Sequence, residues 1–225
     1  MDEAQELFAG DFAEWLAEAE GAIRRGHSSD VPCDGCTACC RSSQFIHIGP
    51  DEADARANVP TELLFAAPGL PPGYVLMGYD ERGHCPMLVD DRCSIYEHRP
   101  RTCRTYDCRV IAAAGVDLDA DQHLIAERTA RWRFGFASPA DEVRRDAVRA
   151  AATYVADHRD ELPDGAVPSN PTQLAVLAID VHGVFVDDGP AGHPVVNRPE
   201  LADVRAALAR RSGGGDADAD ADADG

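Results

Sequence analysis

Cysteine is the residue type in this sequence whose number and spacing carry chemistry. Eight cysteines occur, and all lie between Cys33 and Cys108. The first four, Cys33, Cys36, Cys39 and Cys40, read C-x2-C-x2-C-C. The others are Cys85 (followed by Pro86), Cys93, Cys103 and Cys108. Thiolates are strong ligands for zinc and for iron–sulfur clusters. A C-x2-C-x2-C run puts three sulfurs in one short loop, the spacing with which bacterial ferredoxins hold three corners of a [4Fe–4S] cluster. Cys39 and Cys40 are adjacent, and neighbouring side chains diverge. Eight thiols divide into two sets of four or into one centre with thiols to spare, and spacing leaves both open.

Other uses of cysteine explain less. MDEAQELF has no basic segment leading into an apolar stretch, so no signal peptide is expected. A reducing cytoplasm is then the expected location, where a disulfide framework is disfavoured. A catalytic thiol would account for one cysteine and leave seven. The sequence contains no H-E-x-x-H, P-loop, G-x-G-x-x-G or G-x-S-x-G motif. The 225 residues carry a formal charge of -19, which opposes binding to nucleic acid or anionic lipid, and the apolar runs are too short to span a membrane. All 21 basic residues are arginine. Five of them, Arg92, Arg99, Arg101, Arg104 and Arg109, fall in the window 92–109 against two acids, Glu97 and Asp107. That window is locally basic, which suits a metal–thiolate centre of negative charge. Arg99, Arg104 and His84 are the candidates to hydrogen-bond bound thiolates.

The order Cys33-Asp-Gly-Cys36-Thr-Ala-Cys39-Cys40, Cys85-Pro86-Met87-Leu88, Cys93-Ser94-Ile95-Tyr96, Arg99-Pro100-Arg101-Thr102-Cys103-Arg104 resembles the YkgJ-type cysteine-cluster family, or CxxCxxCC, over about residues 31–110. The resemblance implies a small cytoplasmic protein that chelates zinc or iron. Such proteins are described loosely as oxidoreductases. A flagellin lysine N-methylase carries a related cluster, but no methyl-donor fingerprint accompanies it here.

Three readings follow. One is a redox or electron-transfer protein holding a [4Fe–4S] cluster. Another is a non-enzymatic module in which Zn2+, at one or two sites, nucleates an irregular core that presents a surface to a protein partner still to be identified. The third is an enzyme whose substrate binds near the arginines of 99–109.

The elements that position the cysteines are predicted as α+β and helix-rich. An irregular, metal-nucleated cysteine core with a short β-hairpin is packed by flanking helices. A single domain is expected over 1–211, with the metal-binding core at 31–110 and helical segments at 1–26 and 120–211. An acidic, disordered tail follows at 212–225. Phe8, Phe12, Trp15, Leu16, Ala19 and Ile23 share one face of a helical period, ended by Gly26. Gln44–Ile48 and Tyr74–Tyr79 read as strands. Gly49-Pro50-Asp51-Glu52 reads as a helix start with Pro at its first position, and Glu62–Ala67 as a short helix. Met87–Val89 and Arg92–Tyr96 flank an Asp90-Asp91 turn. Pro100 opens a helix carrying Cys103, and 121–128 is helical. Trp132, Phe134 and Phe136 alternate as in a strand. Ser138-Pro139-Ala140-Asp141 starts a helix towards Leu162, Asn170-Pro171 starts one through Phe185, and the last ends near Arg211.

Overall fold

A capping aspartate decides where the first helix begins. In the computed structural model, which describes residues 5–25, 31 and 35–213, the Asp11 side chain accepts hydrogen bonds from the Ala13 and Glu14 amides at 3.1 and 3.5 Å. The helix therefore starts at Phe12, and Phe8 lies in the preceding strand, 71% exposed. The predicted face is corrected by one residue: Phe12, Trp15, Leu16 and Ala19 are buried as expected, and Phe8 is not part of it.

In chain order the elements are β1 (Leu7–Asp11), α1 (Phe12–Arg25), β2 (Ile46–Ile48), α2 (Ala53–Asn58), β3 (Leu64–Ala66), β4 (Val75–Met77), β5 (Leu88–Val89) and β6 (Arg92–Cys93). There follow α3 (Arg101–Thr105), α4 (Arg109–Ala114), α5 (His123–Thr129), β7 (Trp132–Gly135), α6 (Pro139–Asp157), α7 (Pro171–Val181), β8 (Val186–Asp188), β9 (Pro194–Val196) and α8 (Leu201–Gly213). The fold is helix-rich α+β with short strands, as the sequence predicts. Among the described residues no helix is long and apolar enough to cross a membrane. Gly26, Cys33 and the tail from 214 onward lie outside the described residues.

The chain divides into two compact units. The first comprises 1–7, 18–109 and 117–132, and the second 8–17, 110–116 and 133–225. In the first, β4 is the middle strand of an antiparallel sheet, with β2 on one side and β3 on the other. Ile48, Ala55, Val59, Met77, Met87 and Ile95 form its core, and the partly buried Cys85 and Cys93 pack against it. β5 and β6 form a two-residue hairpin with Leu88 opposite Cys93. Its turn residues, Asp90 and Asp91, have φ of 47° and 57°, the conformation of a type I′ turn, which short-chain Asp tolerates better than most residues.

Two predicted helix features are corrected. Residues 61–63 form a single 3-10 turn, and Leu64–Ala66 then run as β3 beside β4. A short apolar run does not separate strand from helix by its period, and β4 supplies the hydrogen bonds that make this one a strand. Pro50 is not a first helical residue either. The Gly49 amide donates to the Glu52 carboxylate at 2.7 Å, closing a turn, and α2 begins at Ala53.

In the second unit, α6 buries Ala147, Val148, Ala151, Ala152 and Val155, and it packs on α7, on the 182–185 turn and on β9. The Phe12 ring centroid lies 5.2 Å from that of Phe134 and 5.7 Å from that of Phe136, and Trp15 lies 4.7 Å from Phe134. The alternation read from the sequence thus gives one aromatic face. Ser138 and Asp141 cap α6 reciprocally: the Ser138 amide and hydroxyl both donate to the Asp141 carboxylate at 2.9 Å. Asp141 is buried and also accepts from Arg144 at 3.0 Å. Replacing Asp141 by Ala is expected to lower unfolding free energy by roughly 1–2 kcal/mol, measured by urea denaturation with the helical signal of the folded state unchanged.

Candidate metal centre

Backbone hydrogen bonds bring the cysteines of distant segments together. Cys39 and Cys40 sit on a 3-10 turn (Cys39–Arg41), closed by the Arg41 amide on the Ala38 carbonyl and by the Ser42 hydroxyl on the same carbonyl. That turn is tied to residues 83–85 at two points. The Ser43 amide donates to the Gly83 carbonyl at 2.9 Å, and the Cys85 amide donates to the Cys40 carbonyl at 2.7 Å. Gly83 has φ +78°, and a Cβ there would overlap the Ser43 side chain, so the close approach requires glycine. The 80–84 turn is fixed by Asp80, whose carboxylate accepts from the His84 and Arg82 amides at 2.9 Å each and from the Arg82 guanidinium.

Cys93 reaches the same place through the β5–β6 hairpin, held by the Ser94 amide on the Met87 carbonyl at 2.8 Å. Cys103 arrives on α3. Its register is set by the Thr102 hydroxyl, which donates to the His47 carbonyl of β2 at 2.8 Å, and by the Arg101 amide on the Glu52 carboxylate.

The result is a cavity of about 540 Å³. All seven described cysteines line it: Cys36, Cys39, Cys40, Cys85, Cys93, Cys103 and Cys108. Each carries a thiol and none is joined in a disulfide. Cys33 lies outside the described residues.

The thiols affect one another. Burial, and after it the neighbouring Cys85, Cys40 and Cys93, push the Cys103 thiol up to about 12 against the opposing Arg99 guanidinium. Burial also raises Cys85, helped by Cys93. The amides of Met87 and Leu88 hydrogen-bond to the Cys85 sulfur and favour its thiolate. Several negative thiolates in neighbouring, partly buried positions are costly unless they are protonated or shared by a cation. Cys40, Cys85, Cys93 and Cys103 are therefore a soft-donor set whose chemistry fits a thiophilic metal. Among the described residues no three His, Cys, Asp or Glu side chains converge as a ready-made ligand set.

Cys108 differs from these four. It is buried, and the Trp132 indole N–H donates to its sulfur at 3.2 Å. Arg99 lines the cavity, with its Nε donating to the Tyr96 carbonyl at 2.8 Å and its guanidinium 3.6 Å from the Tyr96 ring centroid. His84 and Arg104 are not among the lining residues: His84 serves the Asp80 turn, and Arg104 lies 4.0 Å from Glu52. Spacing missed Trp132 and Arg128, which also line the cavity. Arg128 lies on α5 and Trp132 opens β7, so no single-element spacing links them; the Arg128 guanidinium lies 4.8 Å from the Trp132 ring centroid.

Residues 32–120 match the family described as "CxxCxxCC: Putative zinc- or iron-chelating domain". This is the family that the cysteine spacing resembles. No curated protein and no solved structure matches the chain.

The Asp80 turn gives a pH prediction. The His84 amide and then the Arg82 guanidinium hold this carboxylate down to about 2. Its folded value lies below the unfolded one, so its contribution is complete above about pH 4 and is lost as pH falls through about 2. NMR titration of the Asp80 carboxyl is expected to show a midpoint near 2, and Asp80→Asn is expected to remove this group's share of the acid-side loss of stability.

Proposed function

We propose that the chain is a metal-binding protein whose clustered cysteines hold a zinc or iron–sulfur centre with a redox role. The observation that carries this reading is that seven cysteines, from distant parts of the sequence, line one cavity. Cys40, Cys85, Cys93 and Cys103 are the principal donors, because they lie within electrostatic reach of one another. Cys33, Cys36 and Cys39 belong to the same donor loop and extend the centre or form a second one. Cys108 completes the set of eight. An iron–sulfur cluster would supply one-electron chemistry, and zinc a fixed cross-link. The chain's own part is to exclude water, to donate the Met87 and Leu88 amides to sulfur, and to set Arg99 against the negative charge.

Metal and acid-labile sulfide are to be measured on anaerobically purified protein, with visible absorption and EPR spectra. Iron with matching sulfide and a coloured, EPR-active reduced state supports the redox reading. A colourless protein with stoichiometric zinc overturns the redox role and leaves a zinc-stabilised interaction module, which the short strands of the first unit favour. Protein free of both metals overturns the whole reading. Cys85→Ser and Cys103→Ser are each expected to reduce bound metal at least tenfold, while Asp141→Ala leaves it unchanged. Chelation is expected to lower the melting temperature of the metal-loaded chain.

A further inference from the structure

Aspartate followed by glycine is a pair in which the main chain can rearrange through its own side chain. The glycine amide, with no Cβ beside it, can reach the aspartate carboxyl carbon and close a five-membered ring. Four such pairs occur: Asp34-Gly35, Asp164-Gly165, Asp188-Gly189 and Asp224-Gly225. Asp34, Asp224 and Gly225 lie outside the described residues. The other two pairs both belong to the second unit, and the fold treats them in opposite ways.

Asp188 ends β8, opposite Pro194 of β9. The Gly189 amide donates to the His193 carbonyl at 2.9 Å, so its nitrogen is engaged in the hairpin. A Cβ on Gly189 would overlap that carbonyl and the Val195 side chain, which leaves this peptide little room to turn.

Asp164 and Gly165 form the tip of a turn, closed by the Ala166 amide on the Pro163 carbonyl at 3.0 Å. Gly165 has φ +74°, at the position where a type II turn calls for glycine. Both residues are exposed, and a Cβ on Gly165 would meet nothing within 4 Å. Among the described residues, the Gly165 amide has no acceptor and the Asp164 carboxylate has no hydrogen-bond or ion-pair partner. The ends of the turn are pinned. Leu162 and Val167 are buried, and the Arg159 guanidinium donates to the Val167 and Pro168 carbonyls at 2.7 and 2.9 Å. The tip can therefore turn while its ends stay in place.

We propose that Asp164-Gly165 is a site of isoaspartate formation in the folded chain. The Gly165 nitrogen bonds to the Asp164 Cγ. Its proton and the carboxyl hydroxyl leave as one water, and a succinimide remains. One water then opens the ring. Cleavage at the Asp164 α-carbonyl leaves the main chain running through Cγ, with the α-carboxylate free, and cleavage at Cγ restores aspartate. No water or electron is consumed overall. The exposed α-carboxylate is then a methyl acceptor for an isoaspartyl methyltransferase that uses S-adenosylmethionine. This modification lies beyond the metal reading and is independent of it.

The full chain as purified is to be incubated at neutral pH, both folded and in guanidinium chloride. It is then labelled with an isoaspartyl methyltransferase, and mass spectrometry with electron-transfer fragmentation locates the isoaspartate. In the folded chain, position 164 is expected to accumulate it about fivefold faster than position 188 or more, the factor set by one hydrogen bond of ordinary strength. In denaturant the two rates are expected to converge, because both pairs then meet the same solvent. Asp164→Glu keeps the charge but would need a larger ring, and it is expected to remove the label from this turn. Equal rates in the folded chain, or a faster rate at 188, overturn the site. A preference for 164 that denaturant leaves unchanged also overturns it, since the turn would then play no part. Label that persists at this turn in Asp164→Glu does so as well.

Discussion

The first unit is governed by the cost of gathering ionisable sulfur in partly buried positions. Cys103 and its neighbours cannot all be negative in the cavity without a compensating cation. Around them, the local architecture is arranged so that sulfur stays close to sulfur. The amide of Cys85 is bound to the carbonyl of Cys40, and the hairpin sets Cys93 opposite Leu88. α3 is anchored by Thr102 to β2. None of these contacts involves sulfur directly. The backbone fixes the meeting place, and the side chains inherit the electrostatic problem.

This explains why unit 1 has so little regular structure. Its strands are two or three residues long and its core is a small set of aliphatic and methionine side chains. Such an assembly relies on specific turns rather than on long ladders. Asp80, Gly83, Asp90 and Asp91 each hold a turn that a different residue type would strain or leave open. The second unit is built on another basis, with α6 and α7 packed through small and branched residues in the ordinary manner of helices.

Much of this architecture is legible in the sequence. The hairpin was legible because Asp90-Asp91 sits between apolar pairs, and α6 because Ser138, Pro139 and Asp141 state its start. α3 was legible from Pro100. What escaped has a physical reason in each case. Leu64–Ala66 is too short for its period to distinguish strand from helix, and its state is chosen by β4. Phe8 fits the helical face in sequence, but Asp11 caps the helix beyond it. At the site, spacing marked out the cysteines that line the cavity but could not separate Cys108, whose sulfur accepts from an indole 24 residues away. Nor could it assign His84, whose amide is taken up by Asp80.

The tie between Cys40 and Cys85 also sets an order of assembly. Cys85 and Cys93 are eight residues apart, whereas Cys40 and Cys85 are separated by 45. Closing the longer loop costs about 1.5 kcal/mol more in chain entropy. The arm from Cys85 through the hairpin to Cys103 is thus the part of the first unit that organises cheaply from local contacts. The turn that carries Cys39 and Cys40 joins it last.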